Sequence, residues 1–137
     1  MEHTRSWHSF EEPSEEANTI AAAVIGAAIE VHRHLGPGHK ESIYKAAMRI
    51  ELRLRSIPFR CEFPLALAYK GELVGEGQAD LIVADLVVVE LKAVEQLVPT
   101  HVSQTIGYLR LTDLRLGVLI NFNVAVLKEG IKRVVLS

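Results

Sequence analysis

Cysteine is almost absent from the chain. Cys61 is the single one among 137 residues, which excludes an intramolecular disulfide and a cysteine-rich zinc site and fits a reducing compartment. An excess of either charge is missing too. Fifteen Lys and Arg stand against seventeen Asp and Glu, a formal net charge of −2. A strongly basic nucleic-acid coat is thereby excluded, and any anion-binding surface has to be a local patch. Nor is there a long hydrophobic run. The longest, Ile20 to Ile29, is half alanine and falls short of the roughly twenty apolar residues a membrane span needs. The N-terminus carries Glu2, Glu11, Glu12, Glu15 and Glu16 without a positive region, which argues against a signal peptide. Internal repeats and low-complexity tracts are also lacking. What is present, 49% hydrophobic and 23% charged residues in 15.2 kDa, is the composition of one globular domain. The expectation is a soluble cytoplasmic protein with a mobile tail over 1–13 and a single domain over 14–137.

Periodicity then predicts the elements. Ser14 is a candidate N-cap, with Glu15 and Glu16 in the first turn where the helix dipole favours acid. Ile20, Val24, Ala28, Val31 and Leu35 mark one apolar face of a helix that Gly36-Pro37-Gly38 stops. A second helix is predicted from about Lys40 to Arg55, with Ile43, Ala47, Ile50 and Leu54 inward. Strands follow at Phe59–Tyr69, where Pro64 suggests an edge or bulge, at Leu73–Val83, and at Leu86–Ala93. Gly75 and Gly77 are read as loosening the start of the second strand. A third helix fits Thr100–Leu111, and strands Leu116–Phe122 and Ile131–Leu136 complete a mixed α/β domain.

The third strand carries charges in an unusual place. Leu86, Val87, Val88 and Val89 are apolar on both faces, the mark of a buried central strand, yet Glu90 and Lys92 follow at once. They project from one face, roughly 6.6 Å apart along the strand. Burying an isolated charge costs several kcal/mol, so something must compensate them. If the preceding strand pairs around Asp85, residues whose numbers sum to 170 oppose each other, and Asp80 faces Glu90 with Cβ atoms about 5 Å apart. Two opposed carboxylates repel. A Mg²⁺ or Mn²⁺ ion between them reverses that sign. The residues alone leave a second reading open, a Glu90–Lys92 pair reaching solvent with Asp80 exposed.

Two helices add candidates. Glu41 and Tyr44 share a face of the second helix, and Gln104 and Tyr108 share a face of the third. Each also has a plain reading: Glu41 as a first-turn acid, Tyr44 and Tyr108 as core aromatics. His101, three residues before Gln104, is kept as peripheral. Lys40, Lys45, Arg49 and Arg53, with Arg110 and Arg115, are the basic residues available to flank a pocket; a solvated helix surface is the alternative.

Taken together, Gly38-His39-Lys40-Glu41-Ser42-Ile43-Tyr44, Ala79-Asp80, Glu90-Leu91-Lys92-Ala93 and Gln104-x-x-x-Tyr108 closely resemble the pattern of the small bacterial and archaeal GxxExxY proteins, from about Ile20 to Val135. That family is assigned to the PD-(D/E)XK nuclease-like superfamily, with Ala79 here in place of the proline. The resemblance implies a restriction-endonuclease-like α/β core, a central mixed sheet of four to five strands flanked by helices. It implies a metal site of Asp80, Glu90, the Leu91 carbonyl and Glu41, with Lys92 acting on the water and with Gln104 and Tyr108 completing the catalytic set. The expected activity is Mg²⁺- or Mn²⁺-dependent hydrolysis of phosphodiester bonds, in DNA. The alternative is a silent nuclease-fold protein that binds nucleic acid or a protein partner in a repair or defence complex. A homodimer is a reasonable assembly.

Overall fold

In the computed structural model, which describes residues 12–136, the Ser14 hydroxyl accepts the Ala17 N–H at 3.0 Å and starts helix α1 (Glu15–Leu35). Gly36 ends it with φ 67°, and its N–H returns to the His32 carbonyl. Helix α2 (Glu41–Leu54) follows, then strands β1 (Phe59–Tyr69), β2 (Glu72–Val83) and β3 (Val87–Lys92), helix α3 (Pro99–Thr112), strand β4 (Leu116–Asn121), a short 3₁₀ turn (Leu127–Gly130) and strand β5 (Ile131–Val135). The five strands form one mixed sheet in the order β1-β2-β3-β4-β5. Only β3 and β4 run parallel; the crossover between them is α3. The tail expected over 1–13 falls largely on residues 1–11, which lie outside the described residues.

Two apolar cores sandwich the sheet. One packs α1 and α2 against Leu81, Val83, Val87, Val89, Leu91, Val118 and Ile120. The other packs Tyr108 and Leu109 of α3 against Ile82, Val88 and Leu119. Gly117 lets α3 come close to β4, because a Cβ there would meet Thr105 Cγ2 at 2.9 Å. Among the described residues no helix is long and apolar enough to cross a membrane.

The inward face expected for α2 is a correction. The helix buries Tyr44, Met48 and Leu52, while Ile43, Ile50 and Leu54 are exposed and Ala47 is half-buried. Both sets have helical spacing, so periodicity alone does not choose between them. Tyr44 decides it. The ring stacks on Phe122 with centroids 4.5 Å apart, and the hydroxyl donates to the Gly36 carbonyl at 2.6 Å and accepts the His39 N–H. A buried tyrosine thus ties the α1–α2 loop to the core and fixes the start of α2, where Glu41 sits.

Candidate active site

The hairpin that carries the acidic residues turns at Ala84-Asp85, both at φ 54°. That turn sets the predicted register: Leu81, Ile82 and Val83 pair with Val89, Val88 and Val87. Asp80 and Glu90 come next, but the regular pairing stops before them. Their side chains enter the gap instead. Glu90 Oε2 accepts the Asp80 N–H at 2.9 Å, and Asp80 Oδ2 accepts the Leu91 N–H at 2.8 Å. Each carboxylate takes the place of a missing ladder partner, so the Asp80 and Leu91 N–H groups are both satisfied. The register expected around Asp85 holds as far as Leu81–Val89 and stops one pair short of the two acids, whose carboxylates replace the ladder instead.

Asp80 also stands where the β1–β2 hairpin changes face. Leu81 and Val83 line the α1/α2 core, whereas Ala79, of the same parity, lines the α3 core. On β1 the same switch separates Phe59 from Phe63. Between the flanking pairs Cys61–Leu81 and Phe63–Ala79 lies Glu62, at φ 52°. This local crossover allows Asp80 to serve the strand gap and α2 together.

From α2, Lys45 reaches across. Its Nζ lies 2.9 Å from Asp80 Oδ1 and 3.0 Å from Glu41 Oε2. Burial by itself lowers the Lys45 pKa, but the hydrogen bonds and charges of Asp80 and Glu41 outweigh it and the net shift is upward. Glu41 and Asp80 are therefore bridged by an ammonium group. The sequence places Lys45 among the basic residues available to flank a pocket, not on the acids themselves. The available signal was its i+4 spacing from Glu41, which places both on one helix face.

On the α3 side, Lys92 Nζ donates to Gln104 Oε1 at 3.3 Å, and Gln104 Nε2 donates to the Tyr108 hydroxyl at 3.3 Å. Tyr108 packs over Gly77, where a Cβ would meet its ring at 3.1 Å. Gly77 is thus a clearance for a site side chain rather than a slack strand start, and a glycine inside a strand is the signal for that. His101 accepts the Val98 N–H at 3.0 Å and so serves the start of α3.

Glu90 is the most perturbed acid. It is 3% exposed, and burial, then the neighbouring Asp80 charge, pushes its carboxyl up to about 8 from 4.5, against the pull of the Asp80 N–H, Lys92 and Lys45. The structure thus joins Asp80, Glu90 and Glu41 in one network through backbone N–H groups and Lys45, and Lys92, Gln104 and Tyr108 in a second, with the Lys92 charge acting on Glu90. Leu91 joins the first through its N–H. Among the described residues, no group of three or more His, Cys, Asp or Glu is set to share one metal ion. The donor set is nonetheless of the hard-oxygen kind that suits Mg²⁺ or Mn²⁺, and Lys45 shows that a cation is already stabilised between two of its members.

The family model for the PD-(D/E)XK nuclease superfamily matches residues 18–134. No curated protein and no solved structure matches the chain.

Proposed function

The chain belongs to the PD-(D/E)XK nuclease superfamily, and on that footing we propose that it is a metal-dependent nuclease acting on DNA. The observation that carries the reading is the interlocked pair at the strand ends: Asp80 and Glu90 each cap the other strand's backbone, with Lys92 one pleat on. The narrower likeness to GxxExxY proteins agrees with it through Glu41, whose place is fixed by the buried Tyr44.

Asp80, Glu90, Glu41 and the Leu91 carbonyl are the groups that would hold Mg²⁺ or Mn²⁺. The ion, when bound, supplies charge neutralisation at the phosphate and a more acidic water. Lys92 would orient the attacking water, and its ammonium is steered by Gln104 Oε1. Gln104 is held in turn by Tyr108, which α3 presses against Gly77. This relay turns a flexible lysine into a directed donor, the ordering that general acid–base and positional catalysis require. Leu81, Val89 and Leu91 beneath the site are fully buried or nearly so, which keeps water out from below and strengthens the electrostatics above.

A second reading, a nuclease-fold protein that binds without cutting, has one observation in its favour: the exposed apolar row Ile43, Ile50 and Leu54 on α2, which fits a protein partner or a second copy. Digestion of single-stranded, duplex and branched DNA and RNA with Mg²⁺ or Mn²⁺ separates the two. Cleavage by the wild type, lost in Lys92→Ala, supports the nuclease. Tight binding with no cleavage by either protein supports the second reading.

A further inference from the structure

Glu41 and Asp80 come from different elements, and both carboxylates close on one ammonium, at 3.0 and 2.9 Å. An i,i+4 helix pair on the surface would engage Glu41 alone. Reaching Asp80, whose side chain is 11% exposed, makes Lys45 the counter-ion of the acidic site itself. A divalent ion bound by the same carboxylates would sit about 2.1 Å from their oxygens, and two cations at that range repel strongly. The ammonium and the ion therefore exclude each other.

We propose that Lys45 fills the cation position between Glu41 and Asp80 in the metal-free chain and yields it to the divalent ion, its freed ammonium then contacting a substrate phosphate. This rests on the nuclease reading above. The direction of release follows from the neighbours. Lys45 is 27% exposed on its side chain, so its head has a path outward. One turn along α2 lies Arg49, held by a long 3.7 Å pair with Glu62, its buried Nε without a hydrogen-bond partner. Two cations in one helical row, once Lys45 has lost its carboxylates, favour an anion between them. A backbone phosphate is that anion. Metal binding and phosphate capture are thereby linked through one side chain: without the ion the lysine stays on the acids, and the pocket is neutralised rather than ready for substrate.

The test uses the full chain and Mn²⁺ without nucleic acid. Isothermal titration calorimetry is expected to show Lys45→Gln binding Mn²⁺ about tenfold more tightly than wild type, the scale of one charge-assisted hydrogen bond. Arg49→Gln, which removes a nearby charge that does not touch Asp80, is expected to change affinity much less. Reductive methylation, read by mass spectrometry, is expected to modify wild-type Lys45 faster once Mn²⁺ is added, with exposed Lys40 as the internal control. This measurement stands even if Lys45→Gln does not fold. Equal affinity in wild type and Lys45→Gln, equal gains in Lys45→Gln and Arg49→Gln, or a methylation rate indifferent to Mn²⁺ would each overturn the proposal. If the wild type nevertheless cuts with metal, the nuclease reading survives that failure. If neither wild type nor Lys45→Gln binds Mn²⁺, both fall.

Discussion

The two halves of the candidate site are built to different tolerances. On the α2 side, Glu41, Lys45 and Asp80 meet at 2.9–3.0 Å, and every Asp80 oxygen has a partner. On the α3 side, Lys92, Gln104 and Tyr108 are joined by two contacts of 3.3 Å, and Gln104 is exposed. The tight half neutralises buried charge, which is expensive to leave unpaired. On the proposed nuclease reading, the loose half holds the groups that must still move against a substrate. A lysine held as firmly as Lys45, between two carboxylates, has one of its three N–H donors left to give.

The largest effect is expected at Lys92. Lys92→Ala should lower cleavage by about 10²–10⁴-fold, the usual range for a positioned proton-handling group. Its stability should change little, because its one hydrogen bond is long. Gel-based turnover and thermal melting, measured side by side, check this. A folded Lys92→Ala protein that still cuts at the wild-type rate would break the assignment of chemistry to the loose half.

Next comes Glu90. Its folded pKa is raised from 4.5 to about 8 by burial and by Asp80. Below about 4.5 the carboxyl is protonated in both folded and unfolded chains, and stability is undiminished. Between the two values the unfolded chain has released its proton while the folded chain keeps it. Stability of the metal-free protein therefore falls as pH rises through that window, by up to about 1.4 kcal/mol per pH unit, and the slope ends above about 8. Denaturant melts from pH 5 to 9 should show this decline, and Glu90→Gln should flatten it. Mn²⁺ binding near pH 7 should release about one proton, seen by calorimetry in buffers of different ionisation enthalpy.

Asp80→Asn sharpens the same comparison with a smaller effect. Two unscreened carboxylates would repel, and removing one would stabilise the chain. Lys45 alters that expectation: the substitution removes the charge from its 2.9 Å partner and leaves one acceptor where Lys45 and the Leu91 N–H now use two. The metal-free melting temperature should fall, by about 1–3 kcal/mol in stability, and stabilisation by Mn²⁺ should vanish. A rise in melting temperature would show that carboxylate repulsion, not the lysine pair, governs the tight half.

Much of this arrangement was legible in the residues. The Ala84-Asp85 turn fixed the register, and a run of valines ending in Glu90 and Lys92 marked a buried strand with a reason to carry charge. Pro64 marked an edge strand, and β1 is one. What stayed hidden depended on choices that spacing leaves open. Helix α2 has two stripes of helical period, and the stacking of Tyr44 on Phe122 across the fold selects one of them. The same rotation carries Lys45 to Asp80. The crossing of faces at Glu62 and Asp80 has no composition signal, since Glu is an ordinary residue with an unusual φ there. Long-range contact settles such features, and a one-dimensional pattern does not contain it.

The smallest expected effect is at Tyr108. Its ring is nine-tenths buried against Gly77 and the α3 core, and its hydroxyl accepts one 3.3 Å hydrogen bond from Gln104. Tyr108→Phe keeps the ring and removes only that acceptor. Stability should change by less than about 1 kcal/mol, since the bond is long and Gln104 is open to water. Cleavage should fall by a few-fold at most if Tyr108 merely steadies Gln104, because Gln104 can still reach Lys92. Gly77→Ala is the complementary variant. It leaves every hydrogen-bonding group in place but sets a Cβ 3.1 Å from the Tyr108 ring, so the ring and with it Gln104 must shift. The expected order is therefore that Gly77→Ala slows cleavage more than Tyr108→Phe. Turnover of the two variants on one substrate decides between position and chemistry: if Tyr108→Phe is the slower, the hydroxyl acts on the substrate itself, and the loose half of the site reaches one residue further than its hydrogen bonds indicate.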